Sequence, residues 1–389
     1  MRTEEITAAA EHFDVPGVLV AVIPIHSGNV NDTFVAHFRT SSSETRVVLQ
    51  RINNRVFADP GVVVENMLCV TGHIHDRLDR ERATHDRVWQ LPRIIRTNEG
   101  GFVHKDADGN CWRALSMIES ATAYETATGR KHAEEMGRIL GQFHRLLSDF
   151  DASALTDPLP GFHITPEYLT RYDRTCKNED AQQRLRVQPG ADLCACIEER
   201  RDFSNVLEDA KARRILHTRV IHGDPKVSNF MIDDITGKGT SMIDLDTVKP
   251  GLIHYDVGDA LRSLCNQAGE ETRDLEAVVF DLDLCRAFIR GYMVDARDFL
   301  SDNDRRYLYD AVRLLTFELG VRFFEDYLAG NVYFKARSPE HNLHRAMVQF
   351  ALCRRIESAR PRIEQLLQEE FSHPVTENVA NACILAPHT

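Results

Sequence analysis

The sequence lacks the features that would tie it to a membrane, a secretory route or a nucleic acid. Its longest apolar run, GVLVAVIPI (Gly17 to Ile25), falls far short of the roughly 20 residues of a membrane span. The start, MRTEEITAAAEHF, is acidic and has no apolar stretch behind a basic segment, so no signal peptide is expected. The nine cysteines include no CxxC pair, and the lone CxC of Cys194 and Cys196 is assigned to packing rather than metal. That usage predicts a reduced, cytoplasmic compartment. Basic residues are the minority, 47 against 59 acidic ones, and the resulting charge of -12 argues against general nucleic-acid binding. A nucleotide site stays open, because a few cations and backbone amides can hold one phosphate tail. Internal repeats and low-complexity linkers are missing too.

What is present reads as two unequal lobes. A chain of 389 residues is longer than one hydrophobic core usually spans. Strands are expected at Val18 to Ile25, Thr33 to Phe38 and Arg46 to Ile52, the first two flanking the turn-forming HSGNVND. Pro60 to Asp76 reads as a helix, with Pro60 in its first turn and Val63, Met67, Val70 and Ile74 at helical spacing. Two more strands are expected around Leu91 to Arg96 and Trp112 to Ile118. From about residue 130 the pattern turns helical, with an apolar stripe of Met136, Ile139, Leu140, Phe143 and Leu147. Thr165 and Pro166 read as the N-cap and first position of another helix. Ile221 to Asp246 interrupts the helices with two short strands joined by TGKG, and helical periodicity resumes from about Val257 to Leu367. The expected fold is α+β and bilobal, like a protein kinase. Residues 1–118 form a β-rich nucleotide-binding lobe, and residues 119–389 form a helical catalytic and substrate-binding lobe. A cleft between such lobes is a natural ligand site.

The chemistry concentrates in VIHGDPKVSNFMID. Phosphoryl transfer needs metal ions on the phosphates, a group to orient the attacking hydroxyl, and positive charge where negative charge accumulates. Asp224 follows an apolar strand end and a glycine, so its side chain can stand in a cleft and take the hydroxyl proton. Asn229 lies five residues on, and Asp244 ends the second strand, SMID. Both can offer oxygen to Mg²⁺, which prefers such ligands. Lys226, between them, can reach a phosphate oxygen. This HxDxKxxN pattern with a later strand-end Asp is the protein-kinase catalytic loop in another form. Asp246 is a second carboxylate of similar orientation; Asp244 is preferred as ligand, leaving Asp246 a supporting or substrate role. His222 is read as a loop anchor. Asp256 and Asp259, in HYDVGDALR, are read as braces of the catalytic loop or caps of the following helix. His73 and His75, two apart on a helix, face different directions and are read as surface residues.

HGDPKVSNF and IDLDTVKPGLIHYDVGDALR resemble the aminoglycoside phosphotransferase and choline kinase superfamily. Along nearly its full length the chain is similar to the N-acetylhexosamine 1-kinases within it, through GNVNDTF, VVLQRINNRVF, ENMLCVT, WRALSMIES, FDASALTD and GVRFFEDYLAGNVYFKARSPEHNLHRA. The resemblance implies transfer of the γ-phosphoryl group of ATP, with Mg²⁺, to the anomeric hydroxyl of N-acetylglucosamine or N-acetylgalactosamine. It implies Asp224 as base, Asn229 and Asp244 as metal ligands, and Arg322 and Tyr333 as residues that hold the sugar. Read from the residues alone, Arg322 could instead pair with Glu325 or Asp326, and Tyr333 could pack in a turn. Asn342 and Arg345 are read as structural.

On the nucleotide side, HSGNVNDTF would cover the phosphates, with Gly28 allowing close approach and Asn31 and Thr33 giving polar contacts. It is not a Walker A loop. The strand RVVLQRI holds Gln50 and Arg51 where a protein kinase has its lysine, and strand alternation lets one of the two face the cleft. Glu65 is the helix residue expected opposite. Met117, Ile118 and Glu119 would form the hinge whose backbone receives adenine, which rests on the resemblance. Competing readings are a kinase of choline, an aminoglycoside or another sugar, and a pseudokinase; the presence of Asp224, Asn229 and Asp244 ranks the last lowest.

Overall fold

A computed structural model describes residues 3–25, 30–81, 87–186 and 189–372. After helix α1 (Thr3–Ala10), strands β1 (Val18–Ile25), β2 (Asp32–Arg39) and β3 (Glu44–Ile52) run antiparallel. Helix α2 (Pro60–Glu81), the short strands β4 (Ile94–Ile95) and β5 (His104–Lys105), and β6 (Cys111–Ser116) follow. Strand order is β1-β2-β3-β6-β4, with β5 also on β6. Alternation divides this sheet into two faces. Phe34, Ala36, Phe38, Val47, Leu49, Trp112 and Ala114 pack with Ile6, Ala9, Ala10 and Phe13 of the α1 segment. The opposite face looks into the cleft.

Beyond β7 (Ala121–Ala123) come α3 (Arg130–Leu146), α4 (Thr165–Thr175), α5 (Glu179–Leu185), α6 (Gly190–Glu198) and α7 (Val206–Ala212). The inserted strands are β8 (Arg219–Ile221), β9 (Phe230–Asp233), β10 (Gly239–Met242) and β11 (Lys249–Gly251). They form two small sheets, β10-β9-β7 and β11-β8. The chain ends in α8 (Ile253–Leu264), α9 (Leu282–Ala296), α10 (Asp302–Arg306), α11 (Leu308–Ala329), α12 (His341–Ser358) and α13 (Arg360–Ser372). This is a kinase-like fold, with a small antiparallel lobe and a helical one. Helices α3 and α9 pack backbone to backbone: a Cβ on Gly137 or Gly291 would lie 2.0 and 1.9 Å from the carbonyl oxygens of Phe288 and Glu134.

The departures from the sequence reading have local causes. The strand expected at Leu91 to Arg96 shrinks to Ile94–Ile95, since Pro92 lacks the N–H a ladder needs. Helix α2 runs five residues past Asp76. Thr165 is the first residue of α4 rather than its cap; its hydroxyl donates to Glu318 Oε2 at 2.8 Å. The helical stretch expected from Val257 is broken between α8 and α9, where the Asp281 side chain accepts the Asp283 and Leu284 N–H groups and restarts the helix. Among the described residues no helix is long and apolar enough to cross a membrane.

Candidate active site

The cleft holds a cavity of about 400 Å³ whose lining includes Asn31, Gln50, Arg113, Met117, Ile118, Asp224, Lys226, Asn229, Asp244 and Asp246. Its floor is the turn after β8. Gly223 has φ +88°, and a Cβ there would sit 2.7 Å from the Thr247 carbonyl oxygen, so only glycine passes the chain beneath the 244–247 turn. Asp224 follows, its Oδ2 accepting from Lys226 Nζ at 2.8 Å. Asn229 Nδ2 donates to the Asp224 carbonyl oxygen at 2.7 Å and more loosely to Oδ2 at 3.3 Å. With its amide nitrogen so engaged, Asn229 keeps its oxygen for another partner.

The loop is held from below. Asp256, fully buried on α8, accepts the His222 N–H at 2.7 Å and the Gly223 N–H at 2.8 Å, and it pairs with His144 at 2.8 Å. The brace expected of Asp256 is thus present. Asp259 bonds Arg262 at 2.8 Å instead of capping a helix. His222 is a neutral anchor: burial holds its pKa below the usual value, its Nε2 meets the Ile243 carbonyl at 2.9 Å, and its Nδ1 accepts the Asp224 N–H at 3.2 Å.

Asp244 has φ +64°, the left-handed region, which Asp tolerates better than most residues. Burial, with Asp246 and Asp224 close by, pushes its carboxyl up to about 6. A carboxylate raised this way is one that a divalent cation would relieve. Among the described residues no three His, Cys, Asp or Glu side chains gather as a metal site. The chemistry of the Asn229 side-chain oxygen and the Asp244 carboxylate fits a hard cation, and these two residues would hold a Mg²⁺ brought in by a nucleotide. For Lys226, burial alone would lower the ammonium pKa, but Asp224 and Asp244 outweigh it and hold the group above its ordinary value.

The roof is the cleft face of the sheet. Thr33, Gln50 and Arg113 are paired in register across β2, β3 and β6. Gln50 is the one of the two candidates that faces the cleft. Arg51 is corrected: one residue along, it turns to the opposite face and pairs with Asp32, 3.0 Å from its Nε. Glu65 is corrected too, because it is exposed while Asn66 and Met67 carry the buried face of α2. Met117 and Ile118 line the cavity, whereas Glu119 pairs with Arg46 away from it. Gly28 lies outside the described residues. The position that sequence reasoning missed is Arg113, 1% exposed, bonded to Gln50 and Asp246. A lone cation inside the apolar WRALS was the available signal.

Arg322, on α11, and Tyr333 are not among the residues that line this cavity; Tyr333 and Phe334 line a separate hollow over 331–339. The Arg322 guanidinium stands 5.0 Å from the Phe162 ring centre, 5.1 Å from Tyr168 and 5.4 Å from Phe334. The acidic neighbours considered for it are engaged elsewhere. Glu325 accepts from Thr175 at 2.7 Å, and Asp326 accepts the N–H groups of Val332, Tyr333 and Phe334 at 2.9, 2.7 and 3.1 Å. Tyr333, 47% exposed, packs edge-on against Phe334. His163 ties α11 to the floor, bonding Gly223 O at 2.6 Å through one nitrogen and Glu318, one turn before Arg322, at 3.0 Å through the other. Asn342 and Arg345 are structural as expected, the first buried on Asp326 at 2.9 Å and the second paired with Glu271. The paired histidines also part: His73 meets Asp149 at 3.0 Å, while burial and Arg93 lower the pKa of His75. Cys194 accepts from Tyr172 and Cys196 lies by Arg200, so the CxC is packing.

Comparison with known proteins bears on the fold and the family. Among solved structures, an aminoglycoside phosphotransferase from Alicyclobacillus acidocaldarius matches with a TM-score of 0.58 at 16% identity, over 92% of this chain and 96% of its own. Choline kinase from Cryptosporidium parvum matches at 0.57 and 13%, over 95% and 98%. A spectinomycin phosphotransferase, solved with ADP and spectinomycin, matches at 0.51 and 11%, over 96% and 98%. At these identities the likeness is one of fold. The family model described as phosphotransferase enzyme family, APH, matches residues 22–288, from β1 through the Asp224 loop into α9, and the chain belongs to that family.

Proposed function

We propose that the protein is an ATP-dependent kinase that phosphorylates the anomeric hydroxyl of an N-acetylhexosamine, N-acetylglucosamine or N-acetylgalactosamine, giving the 1-phosphate. Residues 1–118 would hold the nucleotide, with Met117 and Ile118 as hinge, and residues 119–389 would hold the acceptor. The Asp224 carboxylate orients the acceptor hydroxyl; its oxygen attacks the γ-phosphorus, the bond to the β–γ bridging oxygen breaks, ADP leaves, and the proton passes to Asp224. Lys226 supplies positive charge beside the transferred group. Mg²⁺, held by Asn229 and Asp244, would neutralise charge on the phosphates.

The observation that carries the acceptor reading is the aromatic box around Arg322. Aromatic faces attract cations, and such a box is suited to a quaternary ammonium. Here the chain's own guanidinium fills it. A cationic amino alcohol or aminoglycoside would meet like charge, whereas a neutral sugar can accept hydrogen bonds through its hydroxyls and acetamido carbonyl. ATP consumption measured against N-acetylhexosamines, free hexosamines, choline, amino alcohols and an aminoglycoside tests this. Turnover is expected with the N-acetylhexosamines. Phosphorylation of choline or the aminoglycoside alone would overturn the acceptor assignment while leaving the kinase.

A further inference from the structure

The cleft face of the sheet carries no lysine where a kinase sheet usually holds its phosphate cation. At the matching place on β3 stands a neutral Gln50. Its Oε1 accepts from Arg113 on the neighbouring β6 twice, from Nε at 3.0 Å and Nη2 at 2.7 Å. The same Nη2 pairs with Asp246 Oδ1, two residues past Asp244. The other oxygen of Asp246 accepts from Asn31 Nδ2 at 2.7 Å, and Asn31 Oδ1 accepts the Asn53 N–H at 3.0 Å. Arg113 and Asp246 are 1% and 3% exposed, yet both line the cavity.

Three separate pieces of backbone therefore meet on one carboxylate: the segment before β2, strand β6, and the turn that carries Asp244. A buried ion pair of this kind adds little stability over an apolar pair, but losing one partner strands the other charge. The remaining Arg113 nitrogen, Nη1, has the Met67 sulfur at 3.9 Å as its neighbour, a weak acceptor. Together with Lys226 on the floor, Arg113 is one of two Lys or Arg side chains among the described residues of the cavity lining.

We propose that Arg113, Asp246 and Asn31 form a clasp across the cleft that fixes the backbone at Asn31, just before β2, to the turn that carries Asp244 and presents the Arg113 charge to the nucleotide phosphates. The clasp takes the place of the missing lysine–glutamate pair, and Gln50 holds the guanidinium at the angle that reaches both. This rests on the cavity receiving ATP, but it is independent of which acceptor is used. Arg113 is a phosphate-binding residue in this scheme, and its influence falls on the phosphate tail rather than on the base.

Calorimetric titration of ATP and of adenosine into the full-length protein separates these roles. Arg113→Gln is expected to weaken ATP on the order of 10-fold or more, the scale of losing charge-assisted bonds, with adenosine changed less than about two-fold. Asn31→Ala, which removes a neutral donor from Asp246 but leaves the Arg113–Asp246 pair in place, is expected to weaken ATP about three-fold; combined with Arg113→Gln it should add little, because both act through Asp246. An Arg113→Gln protein that binds ATP as wild type does, or that loses ATP and adenosine equally, would overturn the clasp. So would strict additivity of the two substitutions. If Arg113→Gln fails to fold, Asn31→Ala decides by itself, an unchanged ATP affinity counting against the proposal. Wild-type protein that binds adenosine and ATP equally would instead remove the kinase reading.

Discussion

Two buried aspartates do the same mechanical work in two parts of the molecule. Asp256 on α8 gathers the N–H groups of His222 and Gly223 and holds the loop that carries Asp224. Asp326 on α11 gathers those of Val332, Tyr333 and Phe334 and holds the segment that carries Tyr333. Both are helix carboxylates that replace a solvent shell with fixed backbone donors, which is how a loop is held without secondary structure of its own. Their surroundings differ. Asp256 is enclosed by His144, His222 and the Tyr292 ring behind them, whereas the Asp326 segment runs out to Val332, 80% exposed. The loop held by Asp256 bears the proposed base and must not move; the one held by Asp326 would, on the proposed reading, meet an acceptor that has to enter and leave.

If that division is right, damage on the two sides separates into turnover and acceptor affinity. Asp224→Asn, on the first loop, should lower kcat by about 10²–10⁴-fold while calorimetric Mg-ATP binding stays near wild type. Near-normal turnover in that variant would take Asp224 out of the mechanism. Asp256→Ala should lower unfolding stability by about 3–5 kcal/mol in denaturant titration and reduce kcat, because it leaves two buried N–H groups and His144 without an acceptor. If its kcat held and only the acceptor KM rose, the two regions would not be distinct.

Acid should also reach the two sides unequally. Burial holds His254, on α8 two residues before Asp256, down to about 4 from the ordinary histidine value of 6.5, its Nε2 bonded to the Asp304 carbonyl at 2.9 Å. The folded state keeps the neutral ring and the unfolded chain takes the proton. The contribution is therefore complete above pH 6.5 and is lost as pH falls toward 4. At about 1.4 kcal/mol per pH unit the loss approaches 3 kcal/mol. Hydrogen exchange across that range should show 219–224 losing protection before 331–334. The opposite order would break the comparison. The smallest effect is expected from Asp326→Asn, which turns a donor toward the three N–H groups: acceptor KM rises on the order of 10-fold, with kcat and the KM for ATP within about two-fold. A matching rise in the KM for ATP would mean that Asp326 supports the whole cleft.

Much of the catalytic floor was legible because its residues follow one another in the chain. Asp224, Lys226 and Asn229 lie within one loop, and a short turn between β9 and β10 brings Asp244 back to it, so spacing alone implied their meeting. The roof was not legible in that way. Which of Gln50 and Arg51 faces inward depends on the register of β3 against β2 and β6, and a shift of one residue would exchange them. Arg113 went unread because its partners, Gln50 and Asp246, are 63 and 133 residues away. The box around Arg322 likewise joins Phe162, Tyr168 and Phe334 from three segments.

By itself the sequence determined the two-lobed α+β order, the hairpin and the identity of the chemical groups on the floor, because local periodicity and short loops fix these. Only the tertiary structure decided where charge sits on the roof, that Arg322 stands among rings instead of pairing with its helix neighbours, and which aspartate holds which loop. Those are contacts between distant segments, and strand register and helix packing set them after the local elements have formed.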